Sequence, residues 1–549
     1  MMFDDIQLDA IQDENARELI KRLLNMIEQL SAEVRELRVE NQQLRDAVNR
    51  LKGEQGKPNV KGNRNEKAGA ADHSSEAERR QKHKRHKKSK QKEVAIQRKE
   101  VVKVDPARLP ADVQYKGYEK VIVQDVRIVA ENVLFYKEKY YSASRHRTYL
   151  AELPKGYEGQ FGPGIKSLIL ILYFGVGTSE PKIVEFLKNL GVQISKGEVN
   201  NLLIQNQNRF HAESEAVYAA GLRSSPWQQA DHTETRVDGQ NEQCLVVGNP
   251  VYSSYHTQKQ KDRLSVLDVL RQGRQRIFRL NAEALEILKE VPLSKAAQAI
   301  LPTWCSEKVW KEAEFVERLD RALPNLNIQQ RTAILGAAAV AAYHAEHGVP
   351  IVDTLVCEDA SVFHWLTHTL MLCWVHDARL YKKLEPVIAF HREQLQDFRK
   401  QYWEYYHELL AYRQSPNTHQ RTQLEVEFDQ LFATQTGYYD LDQRIEKTRD
   451  KKASLLQVLE HPELPLHNNA SELAVRQRVR KRDVSYGPRS PLGVKAWDTF
   501  ATLADTTRKL GISFYAYIQD RISEAHQIPP LAALVTQRAA ELYLGTSWA

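Results

Sequence analysis

The strongest constraint on the fold is a heptad repeat of leucines near the start of the 549-residue chain. Three places before each of these leucines stands Ile, Val or, once, Asn41. A β-branched residue at a with Leu at d favours two parallel helices, and a buried Asn fixes their register. Residues 1–52 are therefore predicted to form a homodimeric leucine zipper, the alternative being an amphipathic helix packed on its own body. The predicted seam comprises Leu23, Leu30, Leu37, Asn41, Leu44 and Leu51.

Charge is concentrated just after this repeat. The net charge is +7, and residues 53–95 alone hold 13 Lys and Arg against 6 Asp and Glu, so the remainder is balanced. This excludes a chain whose whole surface is built for nucleic acid. Residues 53–98 are predicted to be a disordered basic linker that attracts DNA phosphates, the alternative being a merely solubilising segment. The cations expected to contact DNA are Lys84, Arg85, Lys87 and Lys88.

Several other protein classes are excluded. The longest apolar stretches, 168–176 and 333–343, are too short to cross a bilayer, which takes about 20 helical residues. The acidic start has no basic segment of the kind that opens a signal peptide. Four widely spaced cysteines argue against a disulfide framework or a zinc ribbon. We expect a cytoplasmic protein without a membrane partner.

In the middle of the chain, the spacing of apolar residues changes twice, first to that of strands and then to that of helices. Residues 99–160 are predicted to form a small β domain, with about three antiparallel strands in 118–150 and no readable function. Residues 161–222 favour three short helices that resemble a helix-turn-helix, with Ser179 and Ser195 as N-caps. DNA reading and plain three-helix packing both remain open. In the first case, Lys196, Asn200 and Asn201 would face the groove.

Three carboxylates stand where they could converge. Asp231 lies in a strand before the turn Asp238-Gly239, and a second apolar strand, 351–357, ends in Glu358 and Asp359. The carboxyl edges of neighbouring strands commonly bind ligands. Further on, Glu472 falls in the first turn of a predicted helix that ends near residue 479.

The residues around Glu472 suit phosphate chemistry. Asn469 or Ser471 could cap this helix, and Arg476 and Arg480 follow Glu472 on the same face. Three carboxylates can hold two magnesium ions, which activate a water or a 3′-hydroxyl against a phosphodiester. The alternative is a capped surface helix with ordinary ion pairs.

The run His467-Asn468-Asn469-x-x-Glu472-x-x-x-Arg476 resembles the segment around the last catalytic acid in transposases of the insertion-sequence 66 family. Other segments are similar in the same order, and together they cover residues 105 to 520. They are GYEKVIVQDVRI, NVLFYKEKYYS, YEGQFGPGIKSLIL, LGVQISKGEVNNLL and Cys373-Trp374-Val375-His376. Many relatives also carry paired cysteines ahead of the helix-turn-helix, and this chain has none there.

The resemblance implies a multidomain α+β protein with a ribonuclease-H-like α/β core at 223–509, a helical insertion at about 380–460 and a helical tail at 510–549. It maps the catalytic, metal-binding acids onto Asp231, Asp359 and Glu472, which would hold two Mg²⁺ or Mn²⁺ ions. The Cys373-x-x-His376 pair is assigned a structural role, and zinc is not expected. The residues expected to position the helix or the DNA phosphates are Asn468, Asn469, Arg476, Arg478, Arg480 and Arg482.

The resulting prediction is a DNA transposase of the bacterial nucleoid. It would bind the terminal inverted repeats of its element as a dimer or higher oligomer, cleave 3′ ends and transfer them to target DNA. Accessory proteins of the same element could take part. The alternative is a dimeric, sequence-specific DNA-binding regulator derived from a transposase that no longer cuts.

Overall fold

The computed structural model describes residues 11–51, 95–110 and 112–544. The first helix, α1 (Glu14–Leu51), spans the entire heptad repeat. The predicted linker cations Lys84, Arg85, Lys87 and Lys88 lie outside the described residues.

Part of α1 packs on the body of the same chain. Leu24 is buried against Ile388, and Ile20 and Ile27 pack at the edge of this contact. The buried carboxylate of Glu28 accepts hydrogen bonds from the backbone N–H groups of residues 387 and 388 at 2.9–3.0 Å. The alternative of a helix docked on its own body is thus realised over the first two heptads.

The leucine stripe is left uncovered by this docking. Leu30 and Leu37 are 58% and 62% exposed, and Leu23, Asn41, Leu44 and Leu51 are exposed as well. The docked stripe and the leucine stripe therefore lie on different faces of one helix. A zipper between two copies of the chain stays a prediction.

We expect Glu28→Gln to loosen α1 from the body. The substitution removes a buried charge that accepts backbone hydrogen bonds, which contributes on the order of 1–3 kcal/mol. Limited proteolysis of α1 should become faster, and the control Glu36→Gln, at an exposed position of the same helix, should leave the rate unchanged. Equal cleavage rates in both variants would contradict the docking.

The predicted three-stranded sheet at 118–150 is wrong. Residues 112–138 contain no strand, and a single hairpin, β1 (Lys139–Ser142) with β2 (Arg147–Leu150), follows them. Val121, Val123 and Val126 are all exposed. Apolar residues do alternate there, but neither face has a surface of the same chain to pack on, and a lone pair of strands is what remains.

Four helices follow. Their bounds are α2 (Pro163–Leu170), continued by a π-helical turn (Ile171–Gly175), α3 (Glu180–Asn189), α4 (Lys196–Ile204) and α5 (Asn208–Arg223). The Ser195 hydroxyl accepts the backbone N–H of Glu198 at 3.1 Å, as predicted for an N-cap. Lys196 and Asn201 are exposed, but the Asn200 amide donates to the Glu180 carboxylate at 3.3 Å and so faces α3.

A five-stranded mixed sheet follows these helices. Three antiparallel strands come first, β3 (Trp227–Val237), β4 (Gln240–Asn249) and β5 (Tyr252–Gln258). Two later strands, β8 (Thr354–Cys357) and β9 (Thr369–Leu372), run parallel to β3. The order across the sheet is β5-β4-β3-β8-β9. Asp238 and Gly239 both have positive φ (47° and 78°), which is the backbone of a tight hairpin turn. Between β5 and β8 the chain forms a separate antiparallel pair, β6 (Ile277–Arg279) with β7 (Val309–Lys311).

A helical unit that the sequence did not predict connects β5 to β8. Its last helix is buried continuously over residues 333–343, where small residues let neighbouring elements approach closely. The helices are α6 (Arg263–Leu270), α7 (Ala282–Leu288), α8 (Lys295–Ile300), α9 (Glu312–Ala322) and α10 (Ile328–His344).

The remainder of the chain is helical. Residues 380–460 pack around buried aromatic side chains, among them Phe398, Tyr402 and Tyr406. The last two helices are not a free tail, because they pack on α2 and α5. The helices are α11 (Trp374–Lys382), α12 (Ala389–Gln414), α13 (Thr418–Leu431), α14 (Tyr439–Arg449), α15 (Lys452–Leu455), α16 (Gln457–Glu460), α17 (Asn469–Ser485), α18 (Pro491–Lys509), α19 (Phe514–Ile522) and α20 (Leu531–Glu541). No helix in the described part of the chain is long and apolar enough to span a membrane.

Candidate active site

Strand register decides which acid lies beside Asp231. Gln229 on β3 pairs with Val356 on the parallel β8. Side chains alternate between the two faces of a sheet, so two residues further along Asp231 and Glu358 share one face. Trp227 and Val356 pack together on that face, whereas Cys357 belongs to the core on the other. Glu358, which the sequence prediction passed over, is thus the register partner of Asp231.

Asp231 is a buried carboxylate short of positive charge. It is 6% exposed. Burial raises its pKa to about 7, and the neighbouring carboxylates of Glu358 and Glu472 add to the rise. The backbone N–H of His232, 2.8 Å away, and Lys261 act in the opposite direction and only partly offset it.

Glu472, in the first turn of α17, is held by two arginines. One guanidinium nitrogen of Arg379 lies 2.9 and 3.0 Å from its two carboxylate oxygens, and Arg476 donates at 2.7 Å. Burial alone would raise the pKa of Glu472, but the two guanidinium groups outweigh it and lower that pKa. Glu472 is therefore charged at neutral pH. Arg379, on α11, was not predicted as a site residue.

Asp359 belongs to a different set of contacts. Nε2 of His364 lies 3.0 Å from its Oδ1, and Nζ of Lys451 lies 2.5 Å from its Oδ2. The hydrogen bond with His364 and the ion pair with Lys451 hold the pKa of Asp359 well below its usual range. Asp359 therefore has partners of its own, and its place beside Asp231 as a catalytic acid stays a prediction.

The run from His467 to Glu472 fastens α17 to β3. Gln229 donates to the backbone carbonyl of His467 at 3.3 Å and accepts the backbone N–H of Ala470 at 3.1 Å. Asn468 is fully buried and donates to the Ala230 carbonyl at 3.4 Å. These bonds fix Glu472 relative to Asp231, so Asn468 positions the helix and does not face DNA.

The predicted caps of this helix, Asn469 and Ser471, need correction. The N-cap is Asn468, without a side-chain cap bond, and the helix continues to Ser485. Asn469 and Ser471 are buried, and Asn469 Nδ2 and Ser471 Oγ have no hydrogen-bond partner among the described residues. Buried polar atoms left in this state normally bond to something outside the chain. His376 on α11 differs from them, because its ring interacts with the Asn468 side chain and with Arg379.

The predicted DNA-contacting arginines divide into two groups. Arg478 is 3% exposed and lies inside the protein, where it donates to Thr257 at 2.6 Å and pairs with Asp498 at 3.1 Å. This burial contradicts a phosphate contact. Arg482 is partly buried and donates to the Glu234 carbonyl. Arg476 and Arg480 are exposed.

A basic cavity of about 770 Å³ opens beside the acids. Glu358, Asp359 and His376 belong to its lining. Arg444 pairs with Asp377 at 2.7 Å, whereas Lys383 and Lys447 make no ion pair with any described residue. The cationic residues of its lining are Arg379, Lys383, Arg444, Lys447 and Lys451, and the lining also contains Asp377 and Asp450.

Comparisons with known proteins identify the family of the chain. The model of the Transposase IS66 family matches residues 341–496, a span that contains Glu358, Arg379 and Glu472. An uncharacterized protein, y4jO of Sinorhizobium fredii (strain NBRC 101917 / NGR234), is 32% identical over 321 residues, which are 58% of this chain and 99% of that protein. The chain therefore belongs to the IS66 transposase family.

Proposed function

We propose that this protein is a DNA transposase that cleaves the 3′ ends of its element at the terminal inverted repeats and transfers them to target DNA. The observation that carries the proposal is one sheet face that bears Asp231 and Glu358, with Glu472 supplied by a helix fastened to the same strand. We assign these three carboxylates as the catalytic acids, with Glu358 in place of Asp359.

The sheet supports a ribonuclease-H-like core. Three antiparallel strands continue into two parallel ones. The first acid lies on β3, the second just after β8, and the third on α17, which packs against β3. Residues 259–353 and 380–460 then become two insertions into this core.

The carboxylate group fits divalent cations. Asp231 is buried and short of positive charge, and oxygen atoms are the ligands that Mg²⁺ and Mn²⁺ prefer. Asp231, Glu358 and Glu472 would hold two such ions, which when bound activate a water or a 3′-hydroxyl and stabilise the leaving oxygen. Lys261, 3.7 Å from Glu358, partly neutralises the group in their absence.

The remaining side chains suit a DNA backbone. Arg379 and Arg476 keep Glu472 charged, and each is about half exposed, so their other N–H groups can meet a phosphate. Lys383 and Lys447 extend the positive surface along the cavity, as a strand path requires. Lys196 on α4 and the basic segment with Lys84, Arg85, Lys87 and Lys88 would add contacts to the terminal repeats.

Assembly would use the exposed leucine stripe of α1. Ile20 and Ile27, which precede the first two leucines in the repeat, pack in the docking contact, so the later heptads with Leu37, Leu44 and Leu51 are the part of the zipper that this contact leaves free. A second copy of the chain would cover them. Accessory proteins of the same element remain proposed partners, and the protein would act on the bacterial nucleoid.

The test is cleavage of a labelled duplex that carries the DNA flanking the gene, with the full-length protein and the other proteins of the element present. Mg²⁺ or Mn²⁺ should support 3′-end nicking, and a chelator should abolish it. Glu472→Gln should stop cleavage and keep end binding, whereas the exposed control Glu404→Gln should cleave normally. Binding without cleavage under every metal condition would favour the regulator, and cleavage by Glu472→Gln would remove the third acid.

A further inference from the structure

A second group of metal-ligating side chains lies away from the acids. Glu283 on α7, His344 at the end of α10 and His368 just before β9 come from three separate elements. One ligand atom of each residue lies within 4.8 Å of the others. The three are 61 and 24 positions apart in the chain, so no spacing motif announces them.

Both ring nitrogens of His344 have partners in the protein. Its Nε2 lies 3.0 Å from the Leu366 carbonyl, which can only accept, so Nε2 carries the hydrogen. Its Nδ1 lies 2.5 Å from a Glu283 carboxylate oxygen, a contact that requires a positive charge between the two atoms, either a proton on the imidazole or a metal ion that both would bind. A carbonyl that orients the far nitrogen of a histidine is also what metal-bound imidazoles use.

His368 completes the group. Its ring stacks on that of His344 with centroids 4.4 Å apart. Its Nδ1 lies 3.6 Å from Asp353, a carboxylate placed to orient it. Imidazoles ligate metals in their neutral form, so an ion bound here would compete with protons.

The group is distinct from the catalytic acids. Asp353 and His368 immediately precede β8 and β9, whereas Glu358 follows β8. A four-residue strand spans roughly 13 Å, so the two groups lie near opposite ends of β8 and β9. His344 is almost completely buried, and Glu283 and His368 are partly exposed, which leaves one side open to solvent.

We propose that Glu283, His344 and His368 bind one zinc ion with solvent as its fourth ligand. Two imidazoles and a carboxylate are a common zinc set and a poor one for magnesium. The ion would tie α7 to α10 and to the start of β9, and so hold the unit between β5 and β8 against the sheet. Zinc is not expected from the sequence, because that prediction rests on the wide spacing of the cysteines.

The experiment uses full-length protein stripped with a chelator and titrated with zinc in excess Mg²⁺, which occupies the acid site. One zinc per chain should bind and raise the melting temperature, and Co²⁺ should give the visible absorption of a four-coordinate site. His368→Ala and Glu283→Gln should each weaken zinc binding at least tenfold, whereas the exposed neighbour His347→Ala should bind like wild type.

His368 is 56% exposed, so its removal should leave the fold intact, which far-ultraviolet circular dichroism checks. Binding should weaken as the pH falls below about 6.5, where imidazoles protonate. The proposal is overturned if the wild type binds no zinc at micromolar concentration. It is equally overturned if the His368→Ala/Glu283→Gln double variant binds zinc as the wild type does. Neither outcome depends on cleavage activity.

Discussion

Glu358→Gln is expected to reduce terminal-repeat cleavage by about 10³-fold or more, while Asp359→Asn keeps most of the activity. The first substitution removes one of three carboxylates that act as a unit, and such losses are rarely partial. Glu358 shares the sheet face of Asp231, so its charge is the one that a pair of cations would need. The measurement is the single-turnover rate on the labelled duplex in Mg²⁺ and in Mn²⁺.

The Asp359→Asn variant is the matched control, since it changes the adjacent carboxylate in the same way. It loses the bonds to His364 and Lys451, which tie a loop to the insertion, and we expect a rate within about tenfold of wild type. Filter binding should show both variants holding terminal-repeat DNA. The reverse pattern, with Asp359→Asn inactive and Glu358→Gln active, would restore the assignment made from the sequence.

The choice between these two neighbours shows where sequence reasoning stops. The sequence predicts a strand that ends in Glu358-Asp359. The face on which each of these side chains lies depends on the register with β3, more than 100 residues away. Asp231 and Glu472 could be proposed from the sequence because a carboxylate within a strand and one in the first turn of a helix are local features. The resemblance added their pairing, which spacing alone could not.

The helical periodicity of α17 indicates which of its arginines are buried. Ala474, Val475 and Arg478 lie three, four and seven residues after Ser471 and all four are buried, so Arg478 lies on the inner face of α17. Arg476 and Arg480 fall on the outer face.

The docking of α1 gave no such signal in the sequence. Its contact residues Leu24 and Glu28 fit any exposed helix, and their partners lie about 360 positions further along. The alternating residues at 118–138 show the opposite limit, because strand-like alternation forms a sheet only where a face can be buried.

Asp231→Asn is expected to stabilise the metal-free protein at pH 8, by up to about 4 kcal/mol. Burial, followed by Glu358 and Glu472, raises the pKa of Asp231 from its ordinary 3.8 to about 7. The folded state therefore holds this proton more tightly than the unfolded chain, and stability falls as the pH rises from about 4 to about 7. Above that range the wild type carries an uncompensated buried charge that asparagine lacks.

Urea unfolding in a chelator at pH 5 and pH 8 measures the effect. The advantage of Asp231→Asn should be large at pH 8 and shrink toward pH 4, whereas the control Asp483→Asn, 67% exposed on α17, should show no such dependence. Adding Mn²⁺ at pH 8 should stabilise the wild type and not Asp231→Asn, because only the carboxylate gains from the cation. A wild type that matches the variant at pH 8 without metal would mean that Lys261 already balances this charge. Asp231 would then have no need of a metal ion.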